Sequence, residues 1–436
     1  MKKKDFRKGL SILLVVFSVF CTISTAHGSG FAIYTQGAST LGQGAATIAH
    51  TDDPSAIFWN PALINKLEGT QIQLGTTIIF PSRKFTSDFT RDTFKTEPDV
   101  FFPSTLFITH KFNDKISAGL GVFNPFGLAT KWPDDWEGRY IATNSELTTF
   151  DINPVISYKI SPYITFAAGL DFLLLDATLE NKINLPFLSA IFGLPFILPD
   201  GGQKFEGDGN GVGYNFGVLI EPHKDIAIGV SYRSEIDVDI DGDATFDMPS
   251  GTPPFISLLF PDTSANTDIT LPQQVHVGVC YKGLYPLTFE VAARWEGWST
   301  YDQLKIKFDK SVAGKTGTVE KKDWKDTWSG SIGMKYQVSE PVAILAGYLY
   351  QDNPIPDETF EPAIPDANAH LFTVGTSIKH KQFKVDLAYG YQKLQNRNKN
   401  NDVGAESSIP GLLDARANGK YKSHLHMVGV SLTYTF

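Results

Sequence analysis

SGFAIYTQGASTLGQGAATIAHTDDPSAIFWNPALINKL, residues 29–67, is dense in Gly, Ala, Ser and Thr and holds neither a two-residue nor a 3.6-residue apolar rhythm for long. Such a run packs poorly by itself. Its small residues let backbone come close to surrounding structure, and Asp53-Pro54 and Asn60-Pro61 set rigid turns, because proline fixes its own φ and biases its predecessor to extended geometry. A mobile Gly-rich linker has a similar composition. The adjacent Phe58 and Trp59 argue against a linker, since two large aromatic side chains need burial. The stretch reads as a segment held inside something else, and the flanking sequence says what.

Upstream, Met1 to Lys8 is basic, Leu10 to Phe20 is apolar, and Ser24-Thr25-Ala26 or Ala26-His27-Gly28 supplies small residues for cleavage. That is the pattern of a secretory signal peptide over residues 1–28. The apolar core is too short for a membrane helix. Lipid attachment at Cys21 is a third reading, opposed by the bulky Phe20 before it. Cleavage leaves Cys280 as the last cysteine, which excludes an intramolecular disulfide and a cysteine-type metal site. It also leaves 33 basic against 46 acidic residues, a net of −13. With no basic patch interleaved with aromatics, nucleic acid is not an expected partner.

No later stretch approaches the roughly 18 consecutive apolar residues of a membrane helix, yet the chain carries 32 Phe and 16 Tyr. A membrane β-barrel escapes hydropathy scans because only alternate residues face lipid. From Gln71 onward alternation is persistent. Ile72, Leu74, Thr76, Ile78 and Phe80 share one face; Phe150, Ile152, Pro154, Ile156 and Tyr158 do the same, opposite Asp151, Asn153, Ser157 and Lys159. The longest run sets Ile226, Val230, Tyr232, Ile236, Val238 and Ile240 against Arg233, Glu235, Asp237 and Asp239. The tally is about fourteen strands.

Apolar faces would form the core of a soluble sandwich but the outside of a membrane barrel. The connections choose between them. Short turns at 113–114, 161–162, 222–224, 283–284, 339–340 and 380–381 alternate strictly with long connections at 81–100, 123–145, 181–210, 243–267, 299–320, 352–368 and 395–420. Six short and seven long join fourteen strands whose two ends share the short-turn, periplasmic side. Closure would also remove the exposed edges. Val428, Val430, Leu432, Tyr434 and the terminal Phe436 alternate to the end of the chain. That ending is similar to the strand by which bacterial outer-membrane barrels are recognised for insertion, so the barrel assembly machinery is an expected partner during biogenesis, with outer-membrane lipid and lipopolysaccharide around the finished barrel.

GFAIYTQGASTLGQGAATIAHTDDPSAIFWNPA resembles the N-terminal plug of the FadL family of outer-membrane channels for long-chain fatty acids, including the aromatic-hydrocarbon branch typified by TodX. Also similar are FNPFGLATKWPDDWEGRY (123–140), YRSEIDVDIDG (232–242), ITLPQQVHVGV (269–279), WEGWSTYDQLK (295–305), WKDTWSGSIG (324–333) and NPIPDETFEPAIPD (353–366). Their order and spacing cover essentially the whole mature chain. The resemblance implies an all-β protein: a plug over 29–68, with Phe58, Trp59, Asn60, Pro61 and Ala62 at its motif, inside a 14-stranded antiparallel transmembrane barrel over 69–436. It further implies a kinked third strand that opens the wall sideways for a hydrophobic ligand. Here Gly119, Gly121, Asn124 and Pro125 mark that strand, and glycine inside a strand with proline at its end suits a bend. The competing reading gives the two glycines to crowding against the plug.

Two long connections are unusually apolar, one with Phe187, Leu188, Phe192 and Phe196, the other with Phe255 and Leu259. Exposed apolar runs of this size mark binding surfaces, so the two loops are expected to form a capture groove; packing on each other as a lid is the alternative. Among residues expected on the polar strand faces, Arg233 and Arg294 could clamp a carboxylate head group, or pair with Glu235, Glu290, Glu296 or plug backbone. Basic lumen residues meet the head group in some members of the family. The fifth strand here offers Asp171 and Asp176 instead, which leans toward neutral hydrocarbons. No nucleophile elbow, HExxH or Walker loop is present, and no cofactor or metal is expected. The expected function is passive uptake of hydrophobic compounds across the outer membrane. A general aqueous porin ranks second and an outer-membrane lipid hydrolase third.

Overall fold

The computed structural model describes residues 30–408 and 413–436; the expected signal peptide lies outside the described residues. Fourteen antiparallel strands form a closed barrel. They are β1 Thr70–Ser87, β2 Ser104–Lys111, β3 Ile116–Phe123 continued by Gly127–Lys131, β4 Asn144–Ser161, β5 Ile164–Ile183, β6 Gly201–His223 and β7 Ile226–Arg233 continued by Ile236–Asp247. Then come β8 Thr263–Leu271 continued by Gln274–Leu284, β9 Leu287–Glu296, β10 Thr327–Ser339, β11 Val342–Gln351, β12 Ala369–His380, β13 Phe383–Leu394 and β14 Gly419–Thr435. Each pairs with its sequence neighbour, and β1 closes on β14 from Gln71↔Thr435 to Ser87↔Gly419. Both free strand ends therefore lie at the rim that carries the short turns.

Alternation sorts the side chains as a lipid-facing barrel requires. On β4, Ile156 is 56% exposed on the outer face while its neighbour Ser157 is fully enclosed. On β1, Leu74 and Phe80 face out and Gln73 and Thr77 face in. In water such an exterior would be strongly unfavourable, at about 25 cal/mol per Å² of apolar surface; in lipid it is the stable arrangement.

The structure corrects the expected reading of β7. Asn215 of β6 pairs with Arg233, but Asn210 pairs with Asp239, so β7 carries one residue more than β6 over the same stretch. The extra residue forms a bulge at Ser234, whose N–H donates to the Tyr214 carbonyl and whose Oγ accepts from the Tyr214 N–H, each at 2.9 Å. A one-residue slip reverses every following side chain. Above the bulge Ile236, Val238 and Ile240 point inward and are buried, while Glu235, Asp237 and Asp239 are exposed outside. β8 breaks at the matching level, between Leu271 and Gln274.

The strands also run further than the expected loops allowed: β5 and β6 pair up to Ile183↔Gly201, and β1 continues to Ser87. Their upper parts enclose a second apolar core containing Phe31, Phe126, Trp298, Trp324, Ile236, Val238 and Phe205. The connection after β9 adds a hairpin, Gln303–Val312 with Lys315–Lys321, that lies along β8 at Ala265↔Phe308.

Candidate functional site

Residues 30–67 pack against the inward faces of the strands. The segment folds as short turns of helix, Ala38–Gly42 and Ala56–Trp59, followed by a 3-10 turn at Pro61–Lys66. Nearly every residue from Phe31 to Asn65 is buried. Asn60 explains the motif around it: its Oδ1 accepts the Ala62 N–H at 3.1 Å, and its Nδ2 donates to Ile48 O at 2.8 Å and to Val218 O of β6 at 3.1 Å. Pro61 follows at the first position of the turn, where its missing N–H costs nothing. Phe58 meets Trp59 edge-on at 4.9 Å and Phe123 of β3 at 5.2 Å, and the Trp59 indole donates to Gln36 O at 2.8 Å.

The wall is shaped for this backbone. A Cβ at Gly347 would lie 2.2 Å from Gln43 C and Gly44 N, and one at Gly229 would lie 1.9 Å from Ile48 O. Glu290 of β9, fully enclosed, accepts the backbone N–H groups of Ile48 and Ala49 and meets His50 Nδ1 at 2.6 Å. The other His50 nitrogen meets Gln43 Oε1 at 3.0 Å. Cys280 Sγ, His50 and Glu290 have donor atoms within 4.8 Å of one another, but both ring nitrogens are already engaged, so the trio reads as a tether. A second tether is ionic: Lys384 Nζ lies 2.7 Å from Asp52 and 3.1 Å from Asp53, and Lys335 also pairs with Asp52.

At its upper end the segment meets the kink of β3. Phe123 pairs with Asp151 and Gly127 with Thr148, so one extra residue sits at Asn124–Phe126. Pairing between β2 and β3 ends where Ser104 N donates to Asn124 Oδ1 at 3.1 Å, and the next bond to β3 comes from the connection preceding β2, where Glu97 N donates to Lys131 O at 2.8 Å. Among the described residues no backbone hydrogen bond joins 98–103 to 125–130. The inner segment covers this gap: Ile33 N donates to Pro125 O at 2.9 Å and Gly127 N to Phe31 O at 2.8 Å. Gly119 and Gly121 lie below the kink, and a Cβ at Gly119 would sit 2.7 Å from Ile57 Cδ1. They make room for the enclosed segment, while Asn124 and Pro125 form the kink.

Two cavities flank Phe31. One, of about 420 Å³, reaches from Tyr34, Leu371 and Met427 inside to Phe102 and Phe150, whose side chains are exposed on the outer surface. The other, of about 1090 Å³, opens between the long connections. Phe31, Leu128, Glu146 and Leu147 line both. Phe31 is held by Trp298 at 4.7 Å, Trp324 at 5.6 Å and Phe126 at 6.1 Å between ring centroids, and Gly30 N donates to Asp366 Oδ2 at 2.8 Å. Burial raises the Asp366 carboxyl to about 6, against the Gly30 hydrogen bond, which lowers it.

The two apolar loops do come together. Leu185, Leu198 and Ile256 form a small buried core against which Leu188 packs, and Phe192 and Phe255 meet edge-on at 5.5 Å. Phe192, Phe196 and Phe255 remain about half exposed, Phe187 and Leu259 less so, and none of the six lines either cavity. Arg233 and Arg294 are both buried and engaged. Arg233 pairs with Asp171 and, at 3.4 Å, with Asp151; Arg294 lies 3.7 Å from Glu296 and stacks 3.2 Å above the Tyr34 ring centre. Glu235, on the outer face, takes no part in pairing Arg233.

Residues 19–436 match the sequence model of a family described as outer membrane protein transport protein (OMPP1/FadL/TodX). A long-chain fatty acid transport protein of Salmonella typhi is 25% identical over 88% of this chain and 92% of the relative. Among solved structures, a Pseudomonas aeruginosa FadL homologue superposes with a TM-score of 0.80 at 19% identity, covering 94% of this chain and all of that one. The Pseudomonas putida toluene transporter TodX gives 0.69 at 16% identity, over 92% and 98%.

Proposed function

We propose, from the premise that the chain belongs to the OMPP1/FadL/TodX family of outer-membrane transport proteins, that it is a passive channel for hydrophobic compounds, long-chain fatty acids or aromatic hydrocarbons. An apolar solute collects on the half-exposed Phe192, Phe196 and Phe255, gaining about 0.8 kcal/mol per CH2 removed from water. It enters the outer cavity, passes Phe31, reaches the cavity beneath the β3 kink and leaves sideways between β2 and β3 into the membrane. Residues 29–68 act as a plug that shifts between two states, and no energy input is needed when the solute binds one state better. Lipid and lipopolysaccharide surround the barrel, both termini lie in the periplasm, and the Phe436 strand engages the assembly machinery.

The observation that carries this reading is the meeting of the two cavities at Phe31, a residue of the enclosed segment rather than of the wall. A filled bore and a gapped wall favour it over an aqueous porin. Ala32 and Phe126 face each other across an antiparallel bridge, a separation that a disulfide can close. The double variant Ala32→Cys/Phe126→Cys should lose uptake of hydrophobic solute when oxidised and recover it on reduction. Equal uptake in both redox states would sink the moving-segment step.

A further inference from the structure

We propose that the outer face of β13, β14 and β1, at the long-connection end of the barrel, is a docking surface for the phosphate groups of an outer-leaflet glycolipid, held by Lys84, Lys95, Lys393, Lys420 and Lys422. The proposal rests on the orientation given above, with the short-turn rim in the periplasm, and holds whatever solute the channel carries.

Strand register brings these side chains together. Lys84 of β1 stands opposite Lys422 of β14 on one side and opposite Lys95 of the short strand Thr93–Lys95 on the other, so three lysines form one row across three strands about 4.8 Å apart. The row below sets Ser82 against His424, and His424 against Lys393 of β13. The row above sets Thr86 against Lys420, with Thr93 and Asn398 on either side. All five lysines are exposed, and none makes an ion pair or a side-chain hydrogen bond among the described residues. No Asp or Glu stands in the three rows. Of the acids flanking the short strand, Asp88 lies within ion-pair range of Arg91 and Glu97 of Lys131, which leaves Asp92.

Like charges directly opposite on neighbouring strands destabilise the pair, so this row is stabilised by anions laid along it. The face beneath says which anions. Phe80 stands opposite His426 and His426 opposite Tyr391, and below them Ile78, Val428 and Tyr389 form one row of the outward apolar band. Lys393 and Lys84 stand two and four residues beyond the Phe80 row, about 7 and 13 Å along tilted strands, where hydrocarbon gives way to headgroups. A phosphorylated glycolipid presents its anions at that level with its acyl chains against Phe80, Val428 and Tyr389.

The opposite wall carries the opposite charge. Half the circumference away, Asp176 of β5, Asp208 of β6 and Asp241 of β7 stand in one exposed row, with Asp239 and Asp268 paired beside them. The acid wall of a second copy is thus the competing occupant for the lysines. Two complementary faces half a turn apart make a head-to-tail contact that repeats without closing, whereas a lipid saturates the lysine wall of a single barrel.

The test is native mass spectrometry of the purified full-length protein in detergent, titrated with bisphosphorylated lipid A and with the same lipid A stripped of both phosphates. Wild type should bind the bisphosphorylated form about 100-fold more tightly, roughly fivefold for each lysine of the central row. Lys84→Gln/Lys95→Gln/Lys422→Gln should lose most of that margin and bind the stripped form as wild type does. Lys224→Gln/Lys282→Gln/Lys379→Gln removes the same charge at the short-turn rim and should leave the margin intact. Equal binding of the two lipids by wild type overturns the docking surface, and this arm needs no variant to fold. Equal weakening by both triple variants also overturns it, since net charge alone would then act. Weakening by the rim variant alone overturns it together with the orientation. Wild-type oligomers that the central-row variant dissolves, with the lipid margin unchanged, overturn it in favour of a second copy. Solute uptake enters none of these arms, so the channel reading stands apart from each outcome.

Discussion

Replacing Glu290 by Gln tests whether the enclosed segment is held where the structure puts it. The carboxylate accepts from Ile48 N, from Ala49 N at 3.0 and 3.1 Å, and from His50 at 2.6 Å. Glutamine keeps one oxygen for the two backbone N–H groups and turns its NH2 toward His50 Nδ1, which accepts it once the ring holds its proton on the nitrogen that faces Gln43. What is lost is the charge: two backbone hydrogen bonds fall from the charge-assisted to the neutral range, about 1–1.5 kcal/mol each. A combined cost of about 2–3 kcal/mol shifts the docking equilibrium of the segment by roughly one and a half to two orders of magnitude, at about 1.36 kcal/mol per tenfold. The strand pairing of β9 with β8 and β10 uses backbone groups and is untouched, so the barrel should still assemble. In planar bilayers wild type should pass little steady current, and Glu290→Gln should show bursts of high conductance as the segment undocks. A variant as silent as wild type, with an unchanged melting temperature, would refute the idea that this carboxylate holds the bore shut.

Gly347→Val should act on the same segment from the opposite wall, because its Cβ would fall 2.2 Å from Gln43 C; overpacking of this kind costs about 1–3 kcal/mol or more, read as a lower melting temperature and higher conductance. Replacing Phe192, Phe196 and Phe255 together by Ser should reduce uptake at low solute concentration several-fold while leaving the heat-modifiable barrel band on a gel intact; unchanged uptake would remove the loops from the route. Asp366 gives a pH signature. With its carboxyl raised to about 6 from 3.8, the native protein holds a proton that the unfolded chain has released between about pH 4 and 6. Stability should therefore fall as pH rises through that window, and Asp366→Asn should flatten the slope of melting temperature against pH.

Most of the barrel was legible because alternation is local: each strand declares its own two faces, and the strict succession of short and long connections turns fourteen such declarations into one closed sheet. The burial of Phe58 and Trp59 was legible for the opposite reason, since they stand in a long stretch with no rhythm of its own. Where the reading went astray, a local rule met a change of solvent. Ile236, Val238 and Ile240 keep step in the sequence with Ile226 and Tyr232, so nothing in their spacing betrays the Ser234 bulge that turns them inward. The hint lay in Asp237, Asp239 and Asp241, three acids on one face, which are more stable in water outside an extended barrel than crowded in its lumen.

Arg83, whose Nη1 donates to Ala129 O of β3 at 2.9 Å, escaped for a related reason. It stands beyond Pro81 in a stretch expected to be loop, and only the continued pairing of β1 with β14 to Ser87 fixes its inward direction. The tethers were out of reach of any local rule. Glu290 could be named as a candidate partner for an arginine, but its real partners stand 240 to 242 positions earlier. Gly229 and Gly347 carry no local signal either, and their need for a missing Cβ shows only against the segment between Gln43 and Ala49. A barrel wall is specified strand by strand, whereas the fit between wall and filling is specified by pairs of distant residues. Substitutions at those pairs, rather than on the lipid-facing strands, are therefore the ones expected to change permeability without changing the barrel.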